Sequence, residues 1–178
     1  MEQKKIMRSN VRKLKKQYTA QQLQEMSNEV ITCLLDNSYI KKASTIMLYY
    51  SLPDEVFTHE VINTLAAEGK KILLPVVIDN ENMELREYHD DNDLTLGAYD
   101  IMEPTGKLFT AYDTIDVAVV PGMMFDRECN RLGRGKGYYD RFLKKIRDVH
   151  KIGICFKFQI AESVPSNIND VRVDELIY

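Results

Sequence analysis

The stretch "TLAAEGKKILLPVV", residues 64–77, changes its pattern halfway along. Its first half closes a helix that begins near Phe57. Gly69 supplies the stop, because a residue without Cβ enters the left-handed conformation that ends a helix at little cost. From Lys71 to Val77 the apolar residues then run together, as in a strand buried on both faces. Upstream, "STIMLYY", residues 44–50, is a second run of this kind, so the two bracket one strand–helix–strand unit. Downstream, "MELREY", residues 83–88, could be a short alternating strand, while residues 89–112 are polar and turn-rich and receive no assignment. "IDVAVVPG", residues 115–122, reads as a third buried strand. Tyr139, Phe142, Leu143 and Ile146 mark a helix, and "KIGICF", residues 151–156, reads as a fourth strand.

Buried strands alternating with helices predict an α/β fold: a mostly parallel central sheet with helices on both faces, a Rossmann-like three-layer arrangement. A helical N-terminal segment precedes it. Met7, Val11, Leu14 and Tyr18 recur at helical spacing over residues 3–18, with Lys4, Arg8, Arg12 and Lys15 on another face. Thr19 and Gln22 form a capping box for a second helix that buries Leu23, Met26, Val30 and Leu34, with Cys33 packing beside them. At 178 residues the whole chain, 1–178, reads as a single domain.

Composition narrows the function classes. With 44% hydrophobic and 29% charged residues the chain is globular. It lacks both a membrane-length apolar run and the apolar core of a signal peptide, so a cytoplasmic protein without a membrane partner is expected. Three cysteines, Cys33, Cys129 and Cys155, without a CxxC pair indicate reduced thiols rather than a disulfide framework or a zinc site. Net charge is −3, yet Lys4, Lys5, Arg8, Arg12, Lys13, Lys15 and Lys16 crowd the N-terminus. Local basicity within an acidic protein suits a small anion at least as well as a nucleic acid.

In an α/β sheet, ligands bind beyond the carboxyl ends of the strands, which directs attention to "SLPDE", residues 51–55, and to the long loop after the third strand. Within the latter, "RLGRGKGYYDRF", residues 131–142, holds three of the eight glycines, Gly133, Gly135 and Gly137, interleaved with Arg134 and Lys136. Alternating glycines can turn successive amides toward one anion. A following helix adds its dipole, and the basic side chains add donors. The loop therefore reads as a phosphate cradle. It is not a P-loop, which would need glycine at 130 and Ser or Thr at 137 where Asn130 and Gly137 stand. Nor is it a dinucleotide fingerprint, whose third glycine would fall on Tyr138. The bland alternatives are a basic turn that only links strand to helix, a solvated N-terminal helix face, and Glu55 and Asp140 as early helix charges. Tyr139 lies on the apolar helical face, which favours a core role.

The run "PGMMFDRECNRLGRGKGYYDRFL" resembles the signature of the 5-formyltetrahydrofolate cyclo-ligase family. A Lys-x-x-x-Arg at residues 4–8, the S-x-P-x-E at 51–55 and the terminal "VRVDELIY" extend the likeness over nearly the whole chain. The resemblance implies ATP- and Mg2+-dependent closure of 5-formyltetrahydrofolate to 5,10-methenyltetrahydrofolate through a phosphorylated formyl group, with release of ADP and phosphate. Carried over by position, it implies ATP contacts at Lys4, Arg8, Arg12, Arg131, Leu132, Gly133, Arg134, Gly135, Lys136, Gly137, Tyr138 and Tyr139. It implies folate contacts at Tyr50, Glu55, Arg134, Gly135, Lys136, Gly137 and Tyr138, and Mg2+ ligands at Asp140 and Asp174. Asn169 departs from a histidine common in relatives. The implied partners are small molecules, reduced folate and ATP, with no nucleic acid, and a monomer is expected. The rival class is a non-catalytic folate- or nucleic-acid-binding module that uses the Arg/Gly loop.

Overall fold

A computed structural model describes residues 2–97 and 102–178. In chain order the elements are α1 (Glu2–Lys15), α2 (Ala20–Asp36), α3 (Ser38–Lys42), β1 (Thr45–Met47), α4 (His59–Ala67), β2 (Lys71–Val77), β3 (Met83–Tyr88), β4 (Leu94–Leu96), β5 (Met102–Pro104) and β6 (Leu108–Phe109). The second half continues with β7 (Val117–Pro121), β8 (Met124–Asp126), β9 (Arg131–Leu132), α5 (Tyr138–Leu143), β10 (His150–Ile154), β11 (Ile160–Ala161) and β12 (Glu175–Ile177). The large sheet runs β12-β10-β7-β1-β2-β3-β6. Its pairings from β12 to β2 are parallel, and β3 and β6 complete it antiparallel. The β2–β3 pairing is a hairpin, so the expected strand at residues 83–88 forms, but against the parallel grain. Part of the unassigned segment 89–112 makes the short β4–β5 pair and the edge strand β6.

Side chains of the central strands alternate between two cores, as period-2 geometry requires. Ile46, Leu48, Ile72, Leu74, Val117, Val119, Ile152 and Ile154 face one cluster, with α2, α3 and α4 packed over it. Met47, Leu73, Ala118 and Val120 face the other, together with Phe125 and with Phe142 and Leu143 of α5. Helices thus cover both faces, and β1, β7 and β10 are buried almost throughout, whereas β2 is buried only at Ile72–Leu74 and opens to solvent at Val77.

Local chemistry sets the element ends. Thr19 accepts the Gln22 amide at 3.2 Å while Gln22 Oε1 accepts the Thr19 amide at 2.9 Å, closing the capping box. Gly69, at φ +84°, ends the segment after α4. The buried stripe of α2 is Leu23, Ser27, Val30 and Leu34. At 3.6 residues per turn Met26 lies roughly 70° and Cys33 roughly 90° from its centre. Met26 is accordingly half-buried and Cys33 exposed, rather than packed in the core. Ser27 takes the central place by donating to the Leu23 carbonyl oxygen and accepting the Phe57 amide. In α1 the inner stripe is Val11 and Lys15, whereas Leu14 is exposed. No helix among the described residues is long and apolar enough to cross a membrane.

Candidate active site

Chain order reverses between β1 and β7. From β1 the chain proceeds to β2 on one side, while β7 and β10 lie on the other. A crevice opens at such a switch point, beyond the carboxyl ends of the two strands. The loop after β1 carries Asp54 and Glu55, and the excursion after β7 carries the glycines. Arg134 spans the crevice: Nη2 donates to Asp54 Oδ1 at 2.6 Å and to Glu55 Oε1 at 2.8 Å, and Nε donates to Glu55 Oε1 at 3.0 Å. Burial by itself would lower the Arg134 pKa, but the two carboxylates outweigh it and raise the value.

Gly135 sits at φ +113° and Gly137 at φ +73°, conformations that a side chain would strain. Between Gly133 and Gly137 no amide has a protein acceptor among the described residues. The first helical donor beyond them, the Arg141 amide, reaches back to the Gly137 oxygen at 3.0 Å. The loop is thus a run of backbone donors left to solvent or to a ligand, and Lys136 is exposed beside it without a protein partner among the described residues. Helix α5 spans six residues, shorter than expected; tight turns continue it to the buried Ile146. The cradle therefore rests on loop amides more than on a helix dipole.

Helix α1 lies against this loop through its basic side chains. Arg8 Nε donates to the Gly133 oxygen at 2.7 Å, and its guanidinium passes under Gly135, 3.4 Å from where a Cβ would stand. Lys4 pairs with Asp170 at 2.5 Å. Lys15, its side chain only 4% exposed, donates to the Asp54 carbonyl oxygen and lies 3.1 Å from Asp54 Oδ2. Lys4, Arg8, Val11 and Lys15 follow one helical line, so the basic stripe faces inward rather than toward solvent. Arg12, the remaining member expected at the site, is exposed and makes no side-chain hydrogen bond among the described residues.

Three other expected contacts are placed beneath the loop instead. Arg131 is buried, with Nη2 2.8 Å from Asp140 Oδ1 and Nη1 3.3 Å from the Pro121 oxygen. Its Nη1 would stand 3.0 Å from a Cβ on Gly133, so it props the loop from below. Leu132 is buried with Val11, Met123 and Val164. Tyr139 packs on the second core; burial, then the Glu55 charge, pushes its phenol pKa up. Tyr138 donates to the Asp79 oxygen at 3.0 Å, latching the loop to the β2–β3 hairpin. Tyr50 stacks on His59 with ring centroids 3.6 Å apart, on the Glu55 side of the crevice.

The expected acidic pair is rearranged. Asp140 accepts from Arg131 and, at 3.1 Å, from the Val171 amide. Asp174 is not brought to it. That residue precedes β12 at the amino edge of the sheet, where its carboxylate accepts the Lys151 amide at 2.7 Å. The acid beside Asp140 in the chain path is Asp170, adjacent to Val171 and paired with Lys4. Asn169 accepts from Lys144 at 3.2 Å. Among the described residues no three His, Cys, Asp or Glu side chains cluster as a self-sufficient metal cage.

An α/β sheet with an amide-rich, cation-ringed loop at its switch point has the donors that an anionic ligand would need. Residues 1–178 match the model of the 5-formyltetrahydrofolate cyclo-ligase family, and the chain belongs to that family. It is 30% identical to the mitochondrial 5-formyltetrahydrofolate cyclo-ligase of Arabidopsis thaliana, covering 98% of this chain and 73% of the relative. The solution structure of Aquifex aeolicus 5,10-methenyltetrahydrofolate synthetase superposes with a TM-score of 0.86 at 33% identity, over 98% of this chain and 88% of that one. The Mycoplasma pneumoniae 5,10-methenyltetrahydrofolate synthetase, at 23% identity, shares the fold with a TM-score of 0.80 over 98% and 97% of the two chains.

Proposed function

We propose that this protein closes 5-formyltetrahydrofolate to 5,10-methenyltetrahydrofolate at the expense of ATP. The observation that carries this reading is the run of amides from Gly133 to Gly137 that have no protein acceptor among the described residues, ringed by Arg8, Arg134 and Lys136 and facing Glu55 across the crevice. An amide oxygen is a poor leaving group, and phosphorylation makes it a good one. In this reading the formyl oxygen attacks the γ-phosphorus and ADP departs. N10 then attacks the formyl carbon, phosphate leaves with the former formyl oxygen, and N10 loses its proton. The protein's task is alignment and charge stabilisation rather than covalent chemistry. The loop amides and Lys136 hold the phosphates, and Arg134 reaches the transferred group. Glu55 and Tyr50 receive the pterin, the first through Oε2, which accepts only the Leu52 amide among the described residues and can take one more donor, and the second by the ring face turned away from His59.

Asp140 and Asp170 are the residues whose chemistry suits Mg2+: hard carboxylates beside the cradle, too few for a closed cage, which fits an ion that keeps waters and takes phosphate oxygens. When bound, the ion would neutralise charge on those oxygens. The test is direct. Purified protein with ATP, Mg2+ and 5-formyltetrahydrofolate should develop methenyl absorbance and release ADP in equal amount. Neither product appearing would refute the reading.

A further inference from the structure

We propose that Asp54 is a positioning residue for the transfer step: it grips one edge of the Arg134 guanidinium so that the other edge is presented to the transferred phosphoryl group. The inference rests on the ligase reading above. Arg134 uses Nε and Nη2 on Asp54 and Glu55, while Nη1 has no acceptor among the described residues. Gly133 and Gly135 flank it, so its own backbone does little to aim it. An unanchored arginine in such a loop would have to be ordered at the moment of reaction, and prior anchoring removes that cost.

Asp54 suits the task because its two oxygens serve two cations from different parts of the fold. Oδ1 takes Arg134 of the glycine loop, and Oδ2 lies 3.1 Å from Lys15 of α1. Lys15 is buried and needs that carboxylate. Through Arg8 and Lys4 the same helix touches the glycine loop and Asp170, so Asp54 is the joint at which α1, the loop after β1 and the cradle meet. Glu55 holds the same edge of the guanidinium through Oε1, with Oε2 on the Leu52 amide at 3.1 Å. Asp54 adds the bond that ties this edge to Lys15 and α1, neither of which Glu55 hydrogen-bonds among the described residues. Burial would raise the Asp54 pKa, but Lys15 and Arg134 outweigh it and hold the value below the usual carboxylate range, so the residue is charged at neutral pH.

The test is a double-mutant cycle on turnover at saturating substrates. Asp54→Asn, which keeps the shape and removes the charge, should lower kcat by a factor of about 10 to 100 with little change in KM for the folate. In an Arg134→Ala background the same change should cost less than about twofold, because there is no guanidinium left to aim. Asp54→Glu should recover part of kcat. A purely structural role would instead give losses that multiply in the double variant and follow the melting temperature. Multiplying losses, or Asp54→Asn with wild-type kcat, overturn the assignment. Should Asp54→Asn fail to fold, Asp54→Glu must lower kcat in the wild-type background and not in Arg134→Ala; equal effects overturn it. Turnover by the wild-type chain is measured first: its absence defeats the ligase reading and this proposal together, whereas turnover with a non-coupled cycle defeats this proposal alone.

Discussion

In the loop after β1, from Tyr49 to Thr58, the polar groups satisfy one another. Thr58 donates to the Tyr49 oxygen and exchanges bonds with Ser51, Glu55 accepts the Leu52 amide, and Tyr49 reaches the Val56 oxygen. Across the crevice, the loop from Gly133 to Gly137 has no protein acceptor for its amides among the described residues and holds two glycines in the left-handed region. The first loop leaves β1 of the large sheet directly, whereas the second follows β9 of the small β11-β8-β9 sheet, within the excursion that leaves the neighbouring strand β7. One is finished as a piece of structure and presents a fixed carboxylate. The other leaves its backbone donors open, as the proposed phosphate site requires. Substitutions of the groups that satisfy one another inside the first loop, such as Thr58, should therefore be felt in stability, and substitutions in the second loop, or of the Asp54 and Glu55 carboxylates that face it, in turnover.

The largest effect expected is for Lys136→Ala, which should cut kcat by about 100- to 1,000-fold while leaving the melting temperature unchanged, since the side chain is exposed and has no protein partner among the described residues. A folded variant with normal turnover would remove Lys136 from the phosphate site. Next, Gly135→Ala places a side chain at φ +113° and should lower turnover with a strain of about 1–3 kcal/mol, read as weaker ATP binding in calorimetry. Asp170→Asn and Asp140→Asn should each raise the magnesium needed for half-maximal rate by about tenfold or more, while Asp174→Asn should leave the magnesium titration unmoved. An unmoved titration for Asp170→Asn, or a shifted one for Asp174→Asn, would reverse that reassignment. On the structural side, Thr58→Val leaves the Tyr49 oxygen and the Ser51 amide buried without their partner. It should cost about 1–3 kcal/mol of stability, seen by chemical denaturation, with kcat preserved. The smallest effect is in pH. Because its pKa is depressed, Asp54 contributes its full stability above the ordinary carboxylate range, about pH 4, and loses it as pH falls through the lower folded value. The gap in melting temperature between wild type and Asp54→Asn should be constant from pH 5 to 8 and close below about pH 4.

The same contrast explains what could be seen in the sequence. Continuous apolar runs and strict alternation are both legible, so β2 and the alternating β3 fall at their expected bounds, Lys71–Val77 and Met83–Tyr88. Strands β1, β7 and β10 form at the expected runs with different ends, Thr45–Met47, Val117–Pro121 and His150–Ile154. The glycine loop was visible because three glycines at alternate positions have few structural uses. The supports beneath it were hidden. Arg131 looks like an exposed donor until the fold buries it under Gly133, and nothing local distinguishes Asp170 from Asp174, since only the chain path decides which one passes Asp140. Lys15 did carry a signal: it lies four residues beyond the buried Val11, where α1 turns inward, and a lysine at such a place demands an acidic partner. Asp54 is that partner. The short strands of residues 89–112 have too little periodicity to be read in advance, because two- and three-residue pairings are set by their neighbours.

The central claim is that the amides from Gly133 to Gly137 await phosphate. Backbone amide resonances followed during a titration with magnesium ATP test it without depending on turnover. Large shifts are expected for Gly133, Arg134, Gly135, Lys136 and Gly137, much smaller ones from Ser51 to Thr58, and weakened binding in Lys136→Ala. Saturating nucleotide that leaves the five loop amides unshifted would contradict it.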